Sequence, residues 1–526
     1  MPSLSFPEMK AAGIPKAHPL LDTADRLTLL EVAPDDDKAR QRFDFHLNML
    51  RDAASRVPEL GTLAQALADP AVLQEVQAAL TAAGAKPNEN VTFQIGDDFP
   101  IEAEPVHAWW REFHVTIKPA AGGDEMRCFI TGQLAVPAPT HDTKIKGLAS
   151  VGGRGMGDVV VGFDKDAFES YGLQQSANAA CSEEAAAEYC SGLNHLIAAH
   201  SHRLAGGLVA HWYRDRVADV DDAMAWLYEG ASDDDEVNAQ RQARELLEAI
   251  HAGRRPDLGD NRYYAITLSG NSGRVVMRDW MEGRFEDLVC NIATWFDDLE
   301  IVHRAGGDTA HPPKFLAVLG ATVRQLDDLV PPLIAAMWRA AVRNEPIPRS
   351  SLAQALLRVR ADIIDDQPAN HARMGLLKAY HLRKARQKGG EVMSDLKPYL
   401  NDEHPSAAYH CGRLMAVLAG LQHAALGDVG AGVVQRYYAA ASTTPALVLG
   451  RLTRTAQFHI NKLDGGLAYW YEGKLAGIWA RLRDAVPRTL DLEDQSLFAL
   501  GYYQQLADLR TKKSDTETSQ EGNENG

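Results

Sequence analysis

The chain has 526 residues, 45% of them hydrophobic, and a formal net charge of −17. That length can bury a large core and suggests about three structural units. The opening residues lack a basic start followed by an apolar run, and no stretch of about eighteen apolar residues occurs, so a folded, cytoplasmic protein without a membrane span is expected.

In chain order, "DKARQRFDFHLNMLRDAASRV" has helical spacing, with Phe43, Leu47 and Leu50 on one side. The runs "VTFQIG", "FHVTIK", "MRCFITGQL" and "DVVVGF" are short, β-branched or aromatic, and bounded by turn formers, which predicts strands. "RYYAITLSGNSGRVVMRDW" predicts a hairpin joined through Gly270, Asn271, Ser272 and Gly273. Strict alternation along its second strand puts Arg274 and Arg278 on one face with Val276 and Trp280, where two guanidinium groups beside an indole can meet a sugar-phosphate chain and a base. The plain alternative for that strand is a solvent-facing edge.

From "RFEDLVCNIATWFDDLEIV" onward the signals are helical, broken by "RAGGDTAHPP", "RNEPIPR" and "RQKGGEVMSDLKPYLNDEHPS". Five further helices with short breaks follow, Pro445 standing in a first turn and Asp491 placed to cap the last. The expected fold class is α+β, a mixed α/β region with short antiparallel sheets ahead of an all-helical bundle. The expected divisions are 1–280, a basic helical connection over 281–392, the bundle over 393–513, and a polar, disordered tail over 514–526.

The charge is unevenly spread. Acid concentrates in Asp215 to Glu236 and in the tail, whereas Arg339 to Val392 carries eleven Lys or Arg against five Asp or Glu. A local basic surface on an acidic protein is compatible with nucleic-acid binding inside a larger assembly; a solvated helix face is the plain alternative.

The densest glycine cluster lies between Lys144 and Ser182. Gly147 and Gly152 stand five apart, as in a phosphate-binding P-loop, but Gly153 and Arg154 occupy the places of its lysine and hydroxyl residue. A dinucleotide fingerprint counted from Gly153 and Gly155 needs a small residue where Asp158 stands. Two readings survive: a turn between strands, or a loop carrying Lys144, Lys146 and Arg154 that brings backbone close to a phosphate chain or a groove floor.

Enzyme signatures are scarce. HExxH and GxSxG are absent, and His195, His200 and His202 lack the one-turn spacing of a helical metal pair. "SDDDE" lacks the glycine turn and distal glutamate of a calcium loop. The five cysteines form no CxxC pair, which argues for reduced, mostly buried thiols rather than a zinc ribbon or disulfide framework. Neither a metal nor a cofactor is expected.

Taken in order from about Arg42 to Lys513, "VVVGFDKDAFESYGLQQSANAACSEEAAAEY", "GLNHL", "YYAITLSGNSGRVVMRDW", "AAYHCGRLMAVLAGLQ" and "LEDQSLFALGYYQQ" resemble the large subunit of the type I-C CRISPR interference complex, the Csd family. The resemblance implies a subunit without catalysis, held with backbone and handle-binding subunits on a CRISPR RNA. Such a subunit reads the short motif flanking a target double-stranded DNA, helps open the duplex, guides the displaced strand and supports recruitment of a helicase-nuclease.

Carried onto this chain, the duplex contacts are Lys144, Lys146 and Arg154 on phosphates, close backbone approach at Gly152, Gly153 and Gly155, and Gln174 or Asn178 on base edges. Asn271, Arg274 and Arg278 are further nucleic-acid contacts. Arg413, Arg436, Arg451, Arg454, Gln457 and Lys462 are candidates for the displaced strand. Met393, after "KGGEV", is a candidate internal start that would yield the bundle alone as a small subunit. The resemblance also implies a longer aromatic-containing segment ahead of "HPLLDTADRL" than the short stretch present. Two rival readings stand beside it, a stand-alone metal-dependent nuclease and a purely structural scaffold.

Overall fold

The computed structural model describes residues 18–117, 125–141, 143–163, 167, 170–173, 175–204, 206–228, 233–365, 369–387 and 395–511. It divides into two compact units, one made of Met1–Thr143 with Val161–Ser191 and the other of Lys144–Val160 with Gly192–Gly526.

The first unit is built on helices α1 (Asp37–Ala53), α2 (Pro58–Ala68), α3 (Pro70–Ala82) and α4 (Glu104–Ile117). Asp36 caps α1 by accepting the Ala39 backbone N–H at 3.0 Å. Phe43, Leu47 and Leu50 are buried as their spacing predicts, against Leu60, Ala64 and Leu67 of α2 and Val106, Trp109 and Trp110 of α4. Full burial of such side chains stabilises by about 1.5–3 kcal/mol each. Two predicted strands are corrected here. The described part of "FHVTIK", residues 113–117, is helical, because Val106, Trp109, Trp110 and Phe113 continue a 3–4 spacing begun after Glu104 that outweighs the local β-branched run. "VTFQIG" contributes only its first residues to a two-stranded ladder, Leu21–Thr23 with Asn90–Thr92.

Helix α5 (Glu183–Ala199) leads into the second unit, whose sheet is antiparallel in the order β1 (Ser201–Leu204), β2 (Gly207–Tyr213), β3 (Arg262–Asn271), β4 (Arg274–Arg284). The β3–β4 hairpin closes on Ser272 and Gly273, both at positive φ (54° and 95°), as a two-residue primed turn requires. One face carries Tyr263, Ala265 and Met281 into the core; α6 (Asp233–His251) and α7 (Phe285–Leu299) also pack into that core. "DVVVGF" forms no strand among its described residues: Asp158 and Val159 make isolated bridges instead.

Helices α8 (Pro331–Arg343), α9 (Arg349–Ile364) and α10 (His371–Gln387) follow, then the bundle α11 (Ala407–Leu426), α12 (Val433–Ala441), α13 (Pro445–Ile460), α14 (Gly465–Leu482) and α15 (Leu492–Arg510). Asp491 accepts the Asp494 N–H at 2.8 Å and Pro445 opens α13, as expected from sequence. α11 and α15 pack backbone on backbone: a Cβ at Gly412 would lie 1.9 Å from the Phe498 carbonyl oxygen, and one at Gly501 2.1 Å from that of Tyr409. The bundle shares one continuous hydrophobic core with α7 to α10, and the buried His381–Ser496 and Tyr503–Val302 hydrogen bonds cross between them.

Candidate nucleic-acid interface

The glycine loop packs on the hairpin. Its stem is closed by paired hydrogen bonds between Ile145 and Asp158 (2.8 and 2.9 Å), and Val159 joins the free edge of β4 through Gly273 O (3.0 Å) and Val275 N (2.9 Å). Asn194 of α5 anchors the other side, accepting from Lys146 N at 2.8 Å and donating to Lys144 O at 3.0 Å. The fully buried Asp158 carboxylate accepts the Arg154 backbone N–H at 3.1 and 3.2 Å, so the acidic residue that spoils a dinucleotide fingerprint is what ties the loop together.

The glycines are explained by this seat. A Cβ at Gly270 would lie 2.1 Å from Gly153 Cα, one at Gly152 (φ +89°) 2.7 Å from Gly270 O, and one at Gly153 2.3 Å from Asp158 Oδ2. Loop and strand therefore touch main chain to main chain, which only glycine permits. This corrects the expected role of Gly152 and Gly153: the surface they approach is this protein's own hairpin. Gly155 differs, with open space around it and no positive φ to satisfy. It lies at an exposed tip between Arg154 and Met156, the latter 84% exposed. Lys144, Lys146 and Arg154 are all exposed, and none has an ion-pair partner among the described residues. Three unneutralised cations on one short loop, with Gly155 bare at its tip, form a phosphate-compatible surface.

Gln174 lies outside the described residues. Asn178 belongs to the other unit, and its amide is spent locally: it accepts from Ser170 N at 3.0 Å and donates to Leu173 O at 2.7 Å and Gln175 O at 3.1 Å. It is a turn-forming residue rather than a free base-edge reader.

On the hairpin, Asn271 is exposed opposite Arg274. The expected common face of Arg274, Arg278, Val276 and Trp280 is corrected by a bulge. The register shifts between Thr267 and Leu268, whose partners are Asp279 and Met277, so Arg278 is the unpaired residue. Arg274 and Val276 stay on the core-side face, and Arg278 turns there to donate to Ser269 Oγ at 2.8 Å. Trp280 moves to the outer face with Met277. Alternation alone cannot reveal an inserted residue.

In the bundle, Arg413 is corrected outright. It is 4% exposed, and its guanidinium is held by Gln505 Oε1 at 3.0 Å, His410 Nδ1 at 3.1 Å and the Asp402 side chain, so it fixes α11 against α15. Arg436, Arg451, Arg454, Gln457 and Lys462 are exposed, and the four cations among them carry no ion pair among the described residues. On α13 the exposed Leu447, Arg451, Arg454 and Phe458 recur at helical spacing, the two apolar members 79% and 72% exposed, making one stripe in which two adjacent cations are flanked by apolar side chains. Leu447 and Phe458 complete a pattern whose basic half was evident from the sequence. Met393 lies outside the described residues.

Among its described residues, the basic stretch from Arg339 to Val392 is less of a surface than its charge count suggested. Arg373, Lys378 and Arg383 are buried on α10. Arg383 donates to Asp298 Oδ2 at 2.9 Å, Arg386 to the same carboxylate at 2.8 Å, and Arg373 to the Asp362 side chain and to Ala321 O at 2.7 Å. Burial lowers the Lys378 ammonium to about 8, against the pull of Asp298 nearby. The three arginines neutralise acids inside the fold, while Lys378 donates to the Asp297 carbonyl at 3.3 Å.

The histidines flagged in the sequence are engaged in ring contacts: His195 lies edge-on to His200 at 6.2 Å, and His202 stacks on Tyr228 at 4.3 Å. Among the described residues no group of three or more His, Cys, Asp or Glu is placed to hold a metal ion, and no helix is long and apolar enough to cross a membrane. Cys128, Cys181, Cys190 and Cys411 are buried free thiols, and Cys290 is an exposed one.

The family model described as CRISPR-associated protein (Cas_Csd1) matches residues 2–510, nearly the whole chain. The chain belongs to the Cas_Csd1 family. Membership agrees with the resemblance carried by its motifs to the type I-C large subunit, and makes it a component of a CRISPR-associated complex with other Cas proteins. No curated protein matches it. Within a Cas_Csd1 chain the glycine cluster and the hairpin, read as two motifs in sequence, form one assembly.

Proposed function

We propose that this chain, as the large subunit of a type I-C RNA-guided complex, reads the motif flanking the target in double-stranded DNA through the glycine loop seated on the β3–β4 hairpin. The observation that carries the reading is the exposed Arg154–Gly155–Met156 tip, seated by Asp158 and Gly270, with Arg154 on it and Lys144 and Lys146 exposed on the other arm of its stem, all three without an ion-pair partner among the described residues. In guide-RNA systems base pairing reads the target while protein reads only the short flanking motif, so a small, stiff, cationic projection suffices. Opening of the duplex follows from that anchorage. The chain positions nucleic acid, and cleavage falls to a separate helicase-nuclease that the complex recruits.

Arg154→Ala is expected to weaken binding of the assembled complex to motif-bearing duplex several-fold and to lower the slope of log K against log salt by about 1, as one lost phosphate contact does. Filter binding across a salt series reads both quantities. Unchanged affinity and slope for motif-bearing and motif-lacking duplexes alike would contradict the assignment.

The α13 stripe would guide the displaced strand, with Arg436 and Lys462 beside it. Exchanging Arg451 and Arg454 together for Glu should expose the displaced strand to a single-strand nuclease in footprinting and reduce the salt slope by about 2. A footprint and slope identical to the parent would make the stripe a plain solvated face. The guide RNA and the backbone and handle-binding subunits are the proposed partners in that assembly. A product started at Met393 would supply further copies of the bundle, and such copies need a new cover for the face of α15 that packs on α9 and α10 in the full chain.

A further inference from the structure

The outer face of the four-stranded sheet, opposite the core, carries aromatic side chains that remain open to solvent. Residues of β3 with even numbers point to this face; a Cβ at Gly270 would run into the glycine loop, so the loop covers the hairpin end of the same face that carries Tyr264. Beside the covered end, Trp212 of β2 lies stacked on Tyr264 at 5.5 Å and 18°, and Trp280 of β4 meets both, at 5.5 and 6.2 Å. Trp280 is 41% and Met277 62% exposed, while Trp212 and Tyr264 are half-buried. A soluble protein rarely leaves such a patch open without a use for it.

Charge surrounds the patch on the strand ends. Arg214, Arg262 and Arg284 lie at one end, the first two in exposed pairs with Asp215 (2.8 Å) and Glu282 (3.8 Å) and the third paired with the partly buried Glu286 (2.7 Å). Exposed pairs are weak, so the Arg214 and Arg262 guanidinium groups can exchange a carboxylate for a phosphate at little cost. Arg203, on the outer face of β1, is exposed and has no ion-pair partner among the described residues. The loop with its three free cations borders the other end.

We propose that this face is a base-stacking platform for single-stranded nucleic acid: Trp280, Tyr264 and Trp212 receive unstacked bases, and the arginines and the glycine loop hold the phosphate chain on either side. A sheet face bearing aromatic rings binds single strands because every base has a π-face, and cations at its margins track the backbone. Double-stranded DNA cannot use the platform, since its bases are stacked on one another. The platform thus accepts the strand that leaves a duplex held at the adjoining loop. This inference rests on the nucleic-acid reading above and specifies a second, single-strand site next to the duplex site.

The test uses the full chain in its assembled complex with a single-stranded oligonucleotide containing 5-iodouracil. Irradiation followed by peptide mass spectrometry is expected to place cross-links on Trp212, Tyr264 or Trp280. In parallel, Trp280→Ala should weaken single-strand binding about tenfold, the loss of one stacked base, while Trp280→Phe stays within about twofold and duplex binding is unchanged. Cross-links confined to other elements overturn the platform, as does equal single-strand affinity of the Ala variant. If the Ala variant binds the oligonucleotide normally but leaves the complex, the face is a protein-docking surface and the inference fails. A parent complex that binds neither single strand nor duplex defeats the duplex reading too, whereas failure of the platform alone leaves duplex binding intact.

Discussion

Gly270→Ala is expected to unseat the glycine loop and to remove the motif-specific duplex binding proposed for it. The added Cβ would stand 2.1 Å from Gly153 Cα and 2.2 Å from Gly153 N, so the clash is with main chain and cannot be relieved by turning a side chain. Either the loop lifts from β3 or the hairpin shifts, at a cost of about 1–3 kcal/mol for overpacking. Once lifted, the loop no longer presents Lys144, Lys146 and Arg154 in fixed register. The expected result is an affinity loss of tenfold or more for motif-bearing duplex, with a salt slope reduced by about 2–3 as three phosphate contacts go together. Gly155→Ala is the matched control for folding: with open space around it, stability should stay within about 0.5 kcal/mol of the parent. Equal duplex affinity of the parent and Gly270→Ala complexes would show that the seat is irrelevant to binding.

Asp298→Ala is expected to cause the largest loss of stability. Asp298 at the end of α7 is 1% exposed and accepts from both Arg383 and Arg386 of α10. Arg383, with a side chain 2% exposed, also lies over the Trp295 ring at 5.1 Å and donates to Glu345 O at 3.0 Å. Removing the carboxylate leaves that guanidinium buried without its counter-charge, which costs about 3–5 kcal/mol. Because α10 sits in the core shared with the bundle, thermal unfolding should begin roughly 5–10 °C lower. Replacing Asp298 by Leu and Arg383 by Met together should recover much of the loss, since matched apolar groups need no desolvation. A single Ala variant that melts with the parent would mean that the pair is solvated and that α10 is not an internal helix.

The helical half of the fold was legible because local signals agreed with the packing there. Pro445 and Asp491 mark helix starts by chemistry that acts within one turn, and the breaks between α11 and α15 are short enough to force antiparallel neighbours. The N-terminal half was harder to read. "FHVTIK" looks like a strand in isolation, yet its residues 113–117 are helix because tryptophans a few residues earlier set the period. The site divided along the same line. Lys144, Lys146 and Arg154 could be named from sequence because their neighbours are glycines, but that Gly152 and Gly153 meet Gly270 depends on a contact across more than a hundred residues. Trp280 could be suspected of contacting a base, yet a single bulge at Arg278 decides which face it occupies. Charge counting failed over Arg339 to Val392 because a sum of residues does not register that Asp298 and Asp362 lie inside with their arginines.

The most direct test of the account compares the assembled complex with and without this chain on matched target duplexes that differ only in the flanking motif. Tight binding is expected only when chain and motif are both present, with Gly270→Ala resembling omission of the chain. Equal binding of the two duplexes by the complete complex, or motif discrimination that persists when the chain is left out, would contradict it.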